Sequence, residues 1–333
     1  MSNQQSLSRS RRCSLTLFAV FSIPIFCKPI CAETITTFAV PGAGKTWVVS
    51  INAINVVAGS YEDSVSHGFM RTTDGTITTF DVPGAAYTYA LSMNDANTIA
   101  GYYIDRSGEH GFVRIADGTI TIFDVPGSTN EAWSINDKGA VTGPYEDSQG
   151  LHGFVRTVGG HFKIFDAAGA QSTVGDSIND KGVVAGTYYV TGHGYHGFVR
   201  SADGSIVTFD PPDSFDTWSA IINAKGAVAG AYDSASGVER GFLRADDGSI
   251  TTFGYPDCDI QPEGINRNGV IVAPCYFGRK AKAIIRHSDG VMQTFRVSGS
   301  GQTIPYTIND SGVIAGSYRI KGTENYNGFI RFP

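Results

Sequence analysis

The sequence predicts an all-β fold assembled from one unit used seven times, and three observations carry that prediction. First, landmark residues recur at a near-constant interval. A phenylalanine closing a Thr-rich segment returns at Phe38, Phe80, Phe123, Phe165, Phe209, Phe253 and Phe295. An asparagine returns at Asn52, Asn94, Asn136, Asn179, Asn223, Asn266 and Asn309, and an arginine at Arg71, Arg114, Arg156, Arg200, Arg244, Arg286 and Arg331, every spacing falling between 42 and 45 residues. Second, each interval reads as four short strands: Val, Ile, Thr and Phe are enriched, helical periodicity is absent, and turn residues arrive every ~8–12 positions. Third, the ends complement each other. The chain closes on Gly328-Phe329-Ile330-Arg331 with no Thr-rich segment after it, and the repeat region opens on Thr34-Ile35-Thr36-Thr37-Phe38 with no partner before it. Pairing the two supplies the seventh hairpin and closes a ring. A four-stranded unit of ~43 residues repeated seven times and closed on itself is a seven-bladed β-propeller, a form that protects its sheet edges by circular repetition.

The third unit shows the elements in order: TITIFDVPGSTNEAWSINDKGAVTGPYEDSQGLHGFVR. The Thr-rich strand comes first, followed by a strand ending in Ser-Ile-Asn. A Val/Ala strand (AVTG) comes next, and the Gly-Phe-Val-Arg strand closes the unit. Asn136-Asp137-Lys138-Gly139 supplies an Asx-type start and a glycine suited to positive φ, and Asp117-Gly118 is a favoured two-residue hairpin loop. A two-residue loop at Asp74-Gly75 sets Phe69 opposite Phe80. The same count predicts Phe112–Phe123, Phe154–Phe165, Phe198–Phe209, Phe242–Phe253 and Ile284–Phe295, with Phe329 opposite Phe38 across the closure.

The N-terminus reads as an address. Arg9, Arg11 and Arg12 precede an apolar run from Leu15 to Phe26 and a short exit ending at Cys31-Ala32, the pattern of a secretory signal over residues 1–32, with an uncleaved anchor as the alternative. Residues 33–333 are then the repeat domain, with no membrane span once the signal is removed. Loss of residues 1–32 takes away Arg9, Arg11, Arg12 and Lys28 and no acid, so the formal net charge falls from −6 to −10. That charge argues against nucleic acid and anionic membranes as partners. It also leaves Cys258 and Cys275 as the two cysteines of an exported chain, expected as one disulfide; two buried thiols are the alternative. Counting outward from the Asn266–Gly269 turn brings Ile260 opposite Cys275, which sets Cys258 within bridging reach.

The core INDKGxVAGxY…HGFVR resembles the HAF-type extracellular repeat, named for a His-Ala-Phe triplet. Here the triplet reads His-Gly-Phe at His67–Phe69, His110–Phe112, His152–Phe154 and His196–Phe198, and decays to Arg240-Gly241-Phe242, Lys282-Ala283-Ile284 and Asn327-Gly328-Phe329. The resemblance covers residues 33–333. It implies an exported repeat protein and no particular activity.

Recurrence separates scaffold from site, because one active site needs its groups once. The seven asparagines read as turn formers, the four histidines as capping or packing groups, and the arginines as partners of the recurring Asp81, Asp124, Asp166 and Asp210. Ala39-Val40-Pro41-Gly42-Ala43-Gly44-Lys45-Thr46 fits a relaxed phosphate-loop pattern, but a strand follows where that chemistry needs a helix. The His193/His196 spacing is too weak for a metal site, and no metal or cofactor is expected. Variation concentrates in the Asp-Val-Pro-Gly linkers and the loops after Gly-x-Tyr, which antiparallel topology places on one face. These linkers lead into the expected channel-lining strand and contribute Trp47, Tyr87, Tyr89, Glu131, Trp133, Asp176, Asp216, Trp218, Glu263 and Tyr306. Aromatics beside carboxylates suit a neutral or basic ligand, such as an extracellular or envelope glycan or a protein. Against that, Trp47, Trp133 and Trp218 occupy similar repeat positions and could wedge between units. The sequence therefore predicts an exported, monomeric, non-enzymatic binding scaffold. The alternatives are a carbohydrate-active lyase or hydrolase using two of Glu131, Asp176, Asp216 and Glu263, and a structural envelope component.

Overall fold

The computed structural model describes residues 33–333; the predicted signal lies outside the described residues. Among the described residues every regular element is a strand. After β1 (Thr34–Phe38), the strands β2 (Lys45–Ile51), β3 (Val57–Glu62), β4 (Ser66–Arg71) and β5 (Ile77–Phe80) form an antiparallel group in sequence order. The pattern repeats along the chain, for instance over Tyr87–Phe123 and Ser172–Phe209. The last strand, Tyr326–Phe332, pairs with β1, Thr34 facing Phe332 and Phe38 facing Gly328.

That register differs by one residue from the expected Phe–Phe pairing, and the turn explains it. The Asp-Gly loop holds three residues: Thr72 N donates to Thr76 O, Gly75 N donates to Thr72 O, and Gly75 takes φ +94°. This is a type I turn closed by a left-handed glycine rather than a two-residue loop. Phe80 therefore faces Gly68, and a Cβ placed on Gly68 would lie 2.4 Å from the Phe80 ring. The ring fills the space a side chain would have taken, and the arrangement recurs at Gly111/Phe123, Gly153/Phe165, Gly197/Phe209, Gly241/Phe253 and Gly328/Phe38.

The phenylalanines do meet, but between units. Phe80 packs edge-on against fully buried Phe112 at 6.1 Å, Phe38 against Phe69 at 6.2 Å, and Phe295 against Phe329 at 5.8 Å. The arginines close the same joint from outside. Arg114 lies 4.8 Å over the Phe80 ring, Arg71 over Phe38, and Arg331 5.0 Å over Phe295, with all seven repeat arginines so placed. They do not pair with the recurring aspartates as the sequence suggested. Those carboxylates take the histidines instead: His67 Nδ1 lies 2.8 Å from Asp81 Oδ1 and His110 Nδ1 2.7 Å from Asp124 Oδ1, each imidazole resting on a tyrosine of the adjacent strand. The guanidinium needs a flat apolar partner it can cover while half-buried, and a phenylalanine ring supplies one.

The buried asparagines do two jobs. Asn136 Oδ1 accepts from Lys138 N and Ala140 N, closing its own turn, while Nδ2 donates to Asn179 O of the next unit at 2.8 Å. The relay continues through Asn179, Asn223 and Asn266 to Asn309, whose Nδ2 donates to Asn52 O at 3.0 Å, so it returns to the first unit.

Candidate functional site

The inner strand of each unit carries an irregularity three residues before its asparagine. Pairing skips Val49, Leu91, Asp176 and Tyr306, and is interrupted between Trp218 and Ile221. The neighbouring strand permits this with glycine: a Cβ on Gly59 would lie 1.8 Å from Trp47 O, and one on Gly143 2.0 Å from Glu131 O. A bulge re-aims the side chain it carries. Here the bulge position is occupied in turn by Val49, Leu91, Trp133, Asp176, Ala220, Glu263 and Tyr306, a wide range of chemistry. Six of these seven residues, all but Ala220, line a central cavity of about 690 Å³, within the range of small-molecule sites.

Four of the sequence-predicted residues are thus brought together: Trp133, Asp176, Glu263 and Tyr306. Trp218 lines an adjoining cavity that shares Glu263, its Nε1 donating to Asp233 at 2.9 Å and its ring stacked on Tyr195 at 4.4 Å. Glu131 accepts from Trp133 Nε1 at 2.7 Å, so it orients that indole. The rest lie elsewhere. Trp47 stacks on Tyr326 at 4.3 Å, and Tyr87 and Tyr89 line a small separate pocket beside Glu62 and Asp63. Asp216 accepts from the backbone N of Tyr195 at 2.7 Å and does not line the central cavity. The three tryptophans are not equivalent either. Trp47 and Trp218 stand five residues before their asparagines, whereas Trp133 stands three before, at the bulge. Sequence reasoning missed Tyr195, which reaches the cavity from the third strand of its unit; its lone position after Gly192-His193-Gly194 carried no repeat signal.

Cys258 and Cys275 are bridged, with Cα atoms 5.5 Å apart, and Ile260 faces Cys275 as counted from the turn. The bridge borders a second groove holding Tyr255, Tyr276 and Phe277.

Burial sets the electrostatics of the cavity. It pushes the Asp176 carboxyl up to about 8, against the backbone N–H of Ala220 that donates to Oδ2 at 3.0 Å. It pushes Glu263 up to about 7, with the charge of Glu239 adding to the effect. Burial also raises Tyr306, helped by Tyr276, Glu263 and Tyr326, and raises Glu131, against the bond from Trp133. The two carboxyls therefore hold their protons to higher pH than free ones, Asp176 more strongly than Glu263, and in that form they are hydrogen-bond donors between aromatic faces. No lysine, arginine or histidine lines it, and among the described residues no group of three or more His, Cys, Asp or Glu is placed to hold a metal ion.

No family model matches the sequence, and no curated protein does. Solved structures do. A virginiamycin B lyase from Staphylococcus aureus aligns over 90% of this chain and 100% of its own at a TM-score of 0.66 with 12% identity. A streptogramin B lyase aligns over 89% and 97% at 0.62 with 13% identity. The β-propeller domain of the Trilobed protease from Pyrococcus furiosus, described as having an open velcro topology, aligns over 86% and 94% at 0.60 with 7% identity. The fold is accordingly of the β-propeller kind, and the likeness extends to fold alone.

Proposed function

We propose that residues 33–333 form a seven-bladed propeller, exported by the N-terminal signal, that binds a glycan terminus or similarly sized polar ring compound in its central cavity without transforming it. Ring closure is supported by the pairing of β1 with Tyr326–Phe332 and by the asparagine relay returning from Asn309 to Asn52. The observation that carries the binding role is the convergence of Trp133, Asp176, Glu263 and Tyr306 from four different units on one cavity, at a backbone position the scaffold leaves free. Aromatic faces stack on the apolar side of a sugar ring, and protonated carboxyls donate to its oxygens. Leu151 and Tyr195, beside the variable loops, extend the cavity toward that face.

A second reading, a lyase or hydrolase, draws on the same two carboxyls, which hold protons near neutral pH as a general acid must. Lyases are also among the similar structures, and a catalytically inactive histidine-to-alanine variant of the virginiamycin B lyase has been solved with quinupristin. No histidine lines this cavity, which favours binding. The test is incubation of the purified protein with a polysaccharide and peptidoglycan panel, with mass spectrometry of bound and released material. Retained intact glycan, lost in Trp133→Ala and Tyr306→Ala, supports the binding role. Shorter or unsaturated fragments overturn it and make Asp176 and Glu263 the first substitutions. Neither result directs the search to a protein partner.

A further inference from the structure

The cavity half-buries two carboxyl side chains, Asp176 and Glu263, and its lining offers them no counter-charge. The sole side-chain bond of Asp176 is the one from Ala220 N, and among the described residues the Glu263 carboxyl has no hydrogen-bond or ion-pair partner. The titratable groups facing Glu263 from the packed strands are Glu239, Tyr276 and Tyr306, none of them cationic. Lys45 and Arg319, the cations beside Tyr326, are engaged elsewhere, Lys45 with Glu62 at 2.7 Å and Arg319 with Glu324 at 3.2 Å. An isolated buried carboxyl is costly unless it is neutralised or paired. A purely structural role would be served better by an amide or an apolar residue, as Val49 and Leu91 show at the same position in other units.

We propose that the ligand of this cavity carries an alkylammonium group, received by Asp176 and Glu263 as carboxylates between the aromatic faces of Trp133, Tyr195 and Tyr306. The inference rests on the cavity being a ligand site and adds the chemical class of what enters. An ammonium brings the missing counter-charge, and desolvated aromatic faces add cation–π attraction. The ammonium arrives already protonated. Each carboxyl that pairs with it gives up its own proton to solvent water, and beyond that proton transfer no covalent bond forms or breaks. Binding therefore releases protons, and affinity rises with pH through the range where the empty cavity holds them. An amino sugar and a lysine side chain both provide the group.

Titration calorimetry of the purified protein, in buffers of different ionisation enthalpy, tests this with three probes: a glucosamine trimer, its N-acetylated counterpart and the peptide Gly-Lys-Gly. The expected result is tighter binding of the glucosamine trimer than of the acetylated one by about 10-fold or more, with proton release, and affinity rising about 10-fold from pH 5 to pH 6 for each proton released. Glu263→Gln and Asp176→Asn should each reduce that preference and the proton release that accompanies it. Equal affinity for both trimers without proton release overturns the ammonium inference and leaves the glycan site standing. Binding of Gly-Lys-Gly alone, with proton release, upholds the inference and overturns the glycan reading. Binding of none of the three overturns both.

Discussion

Replacing Asn136 by alanine removes three hydrogen bonds at once, and the structure gives their separate weights. The bond to Lys138 N lies at an exposed turn, where water takes its place. The bond from Ala140 N at 2.9 Å is part-buried and that from Nδ2 to Asn179 O at 2.8 Å is buried, so their loss leaves the Ala140 N–H without a partner and Asn179 O with Gly182 N alone. At roughly 1–3 kcal/mol for an unsatisfied group, the variant should lose about 2 kcal/mol. In a chain of this size that lowers the thermal midpoint by about 3 °C. Asn136→Asp separates the two jobs. It keeps the acceptor that closes the turn but loses the donor to the next unit and sets a charge beside Asp137, so it should fall at least as far. Differential scanning calorimetry reads both. A loss below about 1 kcal/mol for the alanine variant, or an aspartate variant equal to wild type, refutes the claim that the asparagines tie successive units together.

Removing the disulfide as Cys258→Ser with Cys275→Ala frees a loop of sequence separation 17, and chain entropy puts the loss at about 3 kcal/mol in denaturant titration. Phe80→Ala uncovers Gly68 and takes away both the edge of Phe112 and the face under Arg114, which should cost about 3–4 kcal/mol in the same assay. Stability should also fall from pH 6 to pH 8. Asp176 and Glu263 hold protons in the folded state at about 8 and about 7 that the unfolded chain has already released, so their contribution is full at low pH and disappears as pH rises through those values. His67 and His110, lowered by burial but raised overall by their aspartates, act in the same direction, present below pH ~6.5 and lost above their folded values. Asp176→Asn with Glu263→Gln should flatten the curve in calorimetry across that range; an unchanged slope would show that neither carboxyl is protonated in the fold.

The repeat, the strand order and the closing partner strands were legible because each depends on residues that recur, and recurrence marks what the backbone requires. The register of the outer hairpin was not. Asp-Gly is compatible with two- and three-residue loops, and the choice here follows from the left-handed Gly75 together with Thr76, whose carbonyl takes Thr72 N. The role of the arginines was also hidden. Their spacing from the aspartates suggested ion pairs, but the register shift turns the guanidinium onto a ring of the preceding unit and leaves the carboxylates to the histidines. Within the site, Asp176, Glu263, Trp133 and Tyr306 could be singled out as departures from the repeat, whereas Tyr195 could not, because its approach depends on the three-dimensional path of a loop.

What makes those four departures coherent is the bulge. Counted back from the asparagine, an inner strand without it would alternate faces and set the residue three before on the same face as buried Ile51. The extra residue breaks that alternation at one point in each unit and turns one side chain into the cavity. The surrounding strand is held by bonds that do not involve it: Gly59 admits the close backbone, Ser50 Oγ accepts from Met93 N at 3.1 Å, and Asn52 closes the turn. The bulge residue can therefore be valine, leucine, tryptophan, aspartate, glutamate or tyrosine without altering the frame. Under the proposed binding role, the two carboxyls and two large aromatics at this position, where the frame equally accepts leucine and valine, answer to the ligand.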